Sequence, residues 1–319
     1  MKKFVAIILA FVLCLSVCAC GAKESSVPVI GICQYGEHGS LDNCREGFIQ
    51  GLKDAGLKEG TDFVIDYQNA SFDDNINNQI AQSFAAKNVA LMCAIATPSA
   101  VVCYAAAEEK DIPVIYTAIS DPEQAKLTNG NITGTSDKLP VDAQLKLIRE
   151  IQPEAKTIGI VYTTSEPNSV STIAEYKEKA PGYGFSIEAI GVTAAAEVTQ
   201  AVDTLISKKV DCLSNLTDNN VVGVLSSVLE KTNAAGIPVY GSEIEQVKKG
   251  CVASAGIDYV ELGKMTGAMA AKVLKGEATA DSIPYESVTD FAYYVNSDSL
   301  KEMGLTLPSS IADTAIEAN

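Results

Sequence analysis

From residue 27 onward, short apolar runs alternate with stretches whose apolar residues recur every three or four positions. A strand buried on both faces reads as a near-continuous apolar run, and the helix that returns the chain carries one apolar stripe. Residues 27–33 are such a run. In 42–55, Cys44, Phe48, Leu52 and Ala55 keep helical spacing, and Gly56 supplies a stop. Residues 63–67 predict a second strand, and Ile76, Ile80 and Phe84 a second helix. A third strand at 90–96 precedes Pro98, which suits a first helical turn, and residues 112–116 form a fourth. The order then restarts. Strands are expected at 157–162, 186–190, 210–213 and 237–240, with helices beginning near Asn168, through Val198, Val202, Leu205 and Ile206, and from about Asn219. Two halves with one order of elements predict an α/β protein of two similar doubly wound parallel-sheet domains.

Such sheets bind ligands beyond the carboxyl ends of their strands. The segments there are rich in hydroxyls, amides and carboxylates: 34–38, 97–99 and 117–122 in the first half, and 163–169, 217–220 and 241–243 in the second. Helix N-termini nearby offer free N–H groups to an anion. The same residues serve as helix caps, Asp42 and Asn168 among them. Their occurrence on both halves is what points to a shared cleft.

Ahead of this pattern, Lys2 and Lys3 precede an apolar run from Phe4 to Val17, and Val17-Cys18-Ala19-Cys20-Gly21 follows. This is the layout of a signal peptide over 1–19, and the run is too short for a spanning helix. It resembles the lipobox of bacterial lipoproteins, with Cys20 as the lipidated residue because the small Ala19 precedes it. Residues 20–27 then form a lipidated tether, and the chain works outside the cytoplasm, held to a membrane by lipid. The net charge of −16 argues against nucleic acid as a partner. Six cysteines remain: Cys33, Cys44, Cys93, Cys103, Cys212 and Cys251. With no C-x-x-C pair among them and one histidine in the chain, a metal site has little support. Cys93 and Cys212 fall in apolar runs and are expected as free thiols. No P-loop or G-x-S-x-G elbow occurs, and no cofactor is expected.

Several short segments together carry a resemblance: Gly31-Ile32-Cys33-Gln34 with His38 and Leu41-Asp42, Ala96-Thr97-Pro98-Ser99-Ala100, Ile112-Pro113-Val114 with Ser120-Asp121-Pro122, and residues 131–137. Tyr162 with residues 165–169, Thr217-Asp218-Asn219, and residues 256–259 complete it. In order and spacing they resemble the lipoprotein substrate-binding components of ABC transporters of the tryptophan/tyrosine type, which have the type 1 periplasmic-binding-protein fold. The chain departs from that pattern at Gly39, where proline commonly follows the histidine, and at Glu123-Gln124, where small residues are usual. The resemblance implies three crossings, near 134–137, 255–258 and 284–287. Residues 28–135 with 257–285 would form one lobe and 136–256 with 286–319 the other.

The expected function is capture of a small zwitterion, an aromatic amino acid such as tryptophan, tyrosine or phenylalanine, by hinged closure, and its delivery to an ABC transporter permease. A carboxylate needs donors, here Thr97, Ser99 and Ser136. An ammonium needs an acceptor, with Asp218 preferred over Asp121 and Glu166. A ring needs a flat surface, from Gln34, Tyr35, His38 or Tyr116. Asn168 and Asn219 complete the expected site. The chain is expected to be a monomer and not an enzyme. A racemase with a cysteine in each half remains a rival, as do a sensor lipoprotein and a sugar or nucleoside binder.

Overall fold

The computed structural model describes residues 27–318. The expected signal peptide and Cys20 lie outside the described residues. β1 (Val29–Gln34), α1 (Gly39–Asp54), β2 (Val64–Asn69), α2 (Asp74–Lys87), β3 (Leu91–Ile95), α3 (Thr97–Ala107), β4 (Val114–Thr117) and β5 (Ile132–Ser136) build the first half. The second half contains α4 (Val141–Ile151), β6 (Thr157–Thr163), α5 (Pro167–Lys179), β7 (Ser186–Val192), α6 (Ala195–Ser207) and β8 (Cys212–Ser214). It continues with α7 (Asn219–Gly223), α8 (Leu225–Ala234), β9 (Val239–Tyr240), α9 (Ile244–Lys248) and β10 (Ala253–Gly256). The chain then runs through α10 (Tyr259–Leu274), β11 (Glu286–Ser287), β12 (Ala292–Val295), α11 (Ser297–Glu302), α12 (Ser309–Ala312) and β13 (Ile316–Glu317).

The first sheet has the order β11-β5-β4-β3-β1-β2, parallel throughout. The second runs β7-β6-β8-β9, also parallel, and a small sheet β10-β12-β13 stands beside it. In each large sheet the order reverses beside the first strand of its half, between β1 and β3 and between β6 and β8. Those reversal points are where an open α/β sheet leaves a crevice.

One core covers residues 30–132 and takes in α10, so that helix returns to the first lobe. Two further cores lie in the second lobe. Three details differ from the sequence reading. The helix expected from Asn219 is two helices, because Val224, with φ −114° and ψ 20°, interrupts it. β8 starts at Cys212, two residues late. β11 pairs with Thr135 and Ser136 of β5, and Val288 packs on the first core, so the third crossing lies beyond residue 288.

All six cysteines of the described chain are free and buried. Among the described residues no helix is long and apolar enough to cross a membrane, and no cluster has the make-up of a metal site.

The closest helix pair, α1 with α10, meets backbone to backbone. Gly47 and Gly51 of α1 face Gly263 and Gly267 of α10. A Cβ at these positions would overlap the carbonyl oxygens of Val260, Lys264, Cys44 and Phe48 respectively. This fixes the N-terminus of α1, which carries His38 and Ser40, relative to Tyr259 at the start of α10. Gly263→Ala is expected to lower the unfolding free energy in urea by about 2 kcal/mol or more, since overpacking a tight contact costs about 1–3 kcal/mol. Gly182→Ala, at a glycine with nothing within 4 Å of its missing Cβ, should stay within about 0.5 kcal/mol of wild type.

Candidate functional site

The strand-end loops of the two lobes converge on a small cavity. The first lobe contributes His38 and Ser40 at the start of α1, Ala96 and Thr97 at the start of α3, Ala118 after β4, and Tyr259. Asp137 stands at the first crossing, and the second lobe contributes Asn168, Thr217, Asn219 and Glu243. The cavity measures about 20 Å³, room for little more than one water. A larger ligand requires the lobes to part.

Two non-glycine residues on its wall have positive φ, Ala96 at 79° and Ala118 at 59°. Strain of this kind, about 1–3 kcal/mol, persists where the surroundings over-determine the backbone. Ala96 is held from both sides: its N–H donates to Thr117 O at 3.1 Å, and its carbonyl accepts from Ala100 N at 3.1 Å. The result aims the first turn of α3 at the cleft. No side chain caps that turn. Its free N–H groups, with the positive end of the helix dipole, suit a carboxylate.

Three side-chain atoms around the cavity are buried without a hydrogen-bond partner: Thr97 Oγ1, His38 Nδ1 and Asn168 Oδ1. Two carboxylates face the same space. Asp137 accepts from Ser120 Oγ at 2.9 Å and Tyr259 OH at 2.7 Å. Glu243 caps α9, accepting from the Glu245 and Gln246 N–H groups at 2.5 and 3.0 Å. Among the described residues no lysine or arginine lines the cavity. Burial raises the Asp137 carboxyl and pushes Glu243 up to about 7. Burial also lowers His38 to about 4, so the imidazole is neutral at physiological pH. Its ring stacks parallel to Phe72 at 6.4 Å, and its Nε2 lies 3.4 Å from Asn219 Oδ1 of the other lobe.

The structure separates the expected site residues. His38, Thr97, Asn168 and Asn219 line the cavity. Asp218, preferred from sequence as the ammonium acceptor, does not. Its carboxylate accepts from Thr163 N, Thr163 Oγ1, Ser169 Oγ and Val221 N at 2.6–3.1 Å, so it joins β6, α5 and α7 inside its own lobe. Gln34 is likewise engaged: its amide donates to Gly36 O and Asp42 and accepts from Arg45, which shapes the first loop. Ser99 donates to Asn77 at 2.9 Å, and Ser136 to Ser120 O at 3.4 Å, so neither hydroxyl is free for a carboxylate. Tyr116 lines a separate pocket on the first lobe, not the cleft. Tyr35 and Glu166 border a neighbouring pocket, and the Tyr35 hydroxyl donates to Asp74 at 2.9 Å. Glu166 Oε2 accepts from Asn168 Nδ2, Asn219 N and Asn219 Nδ2, whereas Oε1 has no partner.

Sequence reading placed Glu243 in a strand-end loop, 241–243, without giving it a role, and passed over Asp137, Ser40 and Tyr259 as site residues. Asp137 follows the end of β5, so the rule that marked the other loops also reaches it. The rivalry of two cysteines finds no geometric support: Cys93 and Cys212 are fully buried, burial raises both thiols, and neither lines the cavity.

Direct bonds between the lobes seal the cleft. Ser120 Oγ lies 3.0 Å from Thr217 Oγ1, Asn43 donates to Glu245 at 3.2 Å, and Ser171 donates to Asp121. Asp121 is therefore a rim contact rather than a cavity wall. Among known proteins, the chain is 38% identical over 282 residues to a tyrosine-binding protein of Clostridioides difficile, covering 86% of this chain and 81% of that protein. It superposes on the structure of an ABC domain in complex with L-Trp from Streptococcus pneumonia with TM-score 0.88 at 32% identity, covering 92% of this chain and 99% of that one. On a ligand-free, open structure of a substrate-binding protein with adhesive properties from Clostridium difficile, the TM-score is 0.68 at 38% identity, with 92% and 100% covered. The better superposition falls on the less similar sequence, which agrees with the sealed cleft seen here. The sheets and neighbours are those of the type 1 periplasmic-binding-protein fold. Residues 29–319 match the family described as ABC transporter substrate binding protein, and the chain belongs to that family.

Proposed function

We propose that this chain captures an aromatic amino acid and presents it to a transporter permease, with the mature protein anchored by lipid at Cys20. One observation carries the reading: two buried carboxylates without a counter-cation face an uncapped helix N-terminus across one cavity. That lining is complementary to a zwitterion. The ligand carboxylate meets the first turn of α3 and the Thr97 hydroxyl. The ammonium meets Asp137 and Glu243, taking the role that sequence reading gave to Asp218. His38 and Asn168, whose partnerless atoms border the same space, complete the polar shell. Charge-assisted hydrogen bonds of this kind contribute about 1.5–3 kcal/mol each. A ligand bridging the two lobes favours the closed state, which is the differential affinity that closure requires. The C. difficile relative and the S. pneumonia neighbour support an aromatic ligand, since their names specify tyrosine and L-Trp.

A neutral sugar or nucleoside would bring hydroxyl donors but no positive charge to the two carboxylates. Asp137→Asn separates the two cases. It is expected to weaken amino-acid binding by about 10- to 100-fold in calorimetric titration, as loss of one charged hydrogen bond implies. The ligand-free protein should keep its melting temperature or gain a few degrees, because a buried unpaired charge is removed. Unchanged amino-acid affinity would rule Asp137 out as the ammonium partner.

A pH dependence follows. Glu243 has an ordinary value of 4.5 and is lifted to about 7, so the ligand-free fold prefers it protonated. Its contribution to stability is full below about 4.5 and is lost as pH rises through 7. An ammonium ligand requires the ionised form. Binding should therefore tighten from pH 5.5 to 8 and release protons, seen as a titration enthalpy that varies with the buffer's ionisation heat. Affinity flat across that range would contradict the assignment.

A further inference from the structure

Phe72 stands in the turn between β2 and α2, outside the polar cavity. Ser71 and Phe72 both have left-handed backbone, at φ 53° and 62°. Residues with a Cβ seldom occupy that region, and a bulky side chain there is an outlier. The turn is pinned nonetheless. Ala70 N–H donates to Gln34 O, Phe72 N–H to Tyr35 O and Asp73 N–H to Ala70 O, each at 2.9 Å. Ser71 N–H donates to Asn69 Oδ1 at 2.7 Å. Two successive left-handed residues held this firmly reflect a demand on where the Phe72 side chain goes.

The ring goes to the seam between the lobes. On its own lobe it lies over Gly36, where a Cβ would stand 2.0 Å from Cε1, so only glycine leaves the space. Tyr35 meets it edge-on with ring centroids 5.9 Å apart, and His38 lies parallel to it within 3°. On the second lobe, a Cβ on Gly223 would lie 3.4 Å from Cε2 and Cζ of the same ring. Gly223 ends α7, whose first residue, Asn219, meets His38 Nε2 at 3.4 Å. Residues four apart share a helix face. One face of α7 thus receives the His38–Phe72 stack, with Asn219 opposite the imidazole and Gly223 opposite the phenyl ring.

This contact differs in kind from the polar bonds across the cleft. Ser120 with Thr217, Asn43 with Glu245 and Ser171 with Asp121 exchange their bonds for bonds to water when the lobes part, so each favours closure only weakly. Parting the lobes at Phe72 exposes an aromatic face, which water opposes. We propose that Phe72 is an aromatic latch: its ring, docked on Gly223 across the cleft, holds the lobes together and sets how long a captured ligand stays. The effect on release rests on the amino-acid reading given above; the contact between the lobes does not. Because the latch acts only in the closed state, losing it speeds opening and leaves entry unhindered. Gly223→Ala adds a methyl group at contact distance from the ring, and strengthens the latch only while Phe72 is there.

Stopped-flow mixing of the soluble chain beginning after Cys20 with L-tryptophan reads both rates from the ligand's own fluorescence, since the chain contains no tryptophan. Phe72→Ala should release L-tryptophan about tenfold faster without slowing its association. Phe72→Leu, which keeps apolar bulk, should fall between it and wild type, and serves in its place if the smaller residue prevents folding. Gly223→Ala should slow release by about twofold or more in the wild-type chain and leave it unchanged beside Phe72→Ala. Small-angle X-ray scattering of the ligand-free chains needs no ligand, and Phe72→Ala should there have the larger radius of gyration. Slower association with unchanged release would overturn the latch, because Phe72 would then shape entry. An equal effect of Gly223→Ala with and without Phe72 would also overturn it, placing that effect within α7. If L-tryptophan binds none of the chains, the amino-acid reading loses this ligand and scattering decides the latch alone: identical radii for wild type and Phe72→Ala would overturn it.

Discussion

Negative charge held out of water without a cation beside it is the constraint on which the site depends. Asp137 and Glu243 each sit almost wholly buried, and the hydrogen bonds they accept come from neutral groups. Burying an unpaired carboxylate is costly, and proteins relieve the cost by protonation or by supplying a counter-charge. Here burial raises both carboxyls, which moves them toward the first response. An ammonium entering between the lobes provides the second. The same groups that make the sealed empty cleft unfavourable thus make the occupied one favourable. A ligand that bridges the lobes then couples recognition to closure.

A frame of packed sheets and helices holds the groups in place. Both sheets reverse their strand order beside the first strand of their half, which sets the two loop clusters facing each other. The glycine-lined contact of α1 and α10 fixes the first loop against Tyr259, whose hydroxyl in turn holds Asp137. In the second lobe Asp218 does the equivalent work. By tying β6, α5 and α7 together it places Glu166, Asn168 and Asn219 on one wall. In this structure its carboxylate is engaged by those neighbours.

The fold was legible because parallel strands and amphipathic helices write their periods directly into the sequence, and because the βα order repeats. Where the reading slipped, a tertiary effect outweighed the local pattern: the break at Val224 divides a stretch whose apolar spacing continues, and β11 adds to the first sheet through only two residues. The candidate site was half legible. Strand-end loops located His38, Thr97, Asn168 and Asn219, since position along the sheet selects them. Side-chain engagement was not readable in the same way. Gln34, Ser99 and Asp218 carry suitable chemistry in suitable loops, yet each is consumed by bonds within its own lobe. Conversely Asp137, just past the end of β5, stands where the strand-end rule applies, but its burial in the cavity is a fact of packing. The glycine pairs at Gly47/Gly51 and Gly263/Gly267 have a four-residue spacing visible in the sequence, but their partnership is a fact of packing between segments some 200 residues apart.

A crystal structure of the chain with L-tyrosine bound tests the central claim most directly. The account predicts the ligand amino group within hydrogen-bond distance of the Asp137 or Glu243 carboxylate, and its carboxylate at the first turn of α3 beside Thr97. An amino group held instead by Asp218, or a ligand seated with its carboxylate facing Asp137 and Glu243, would contradict it.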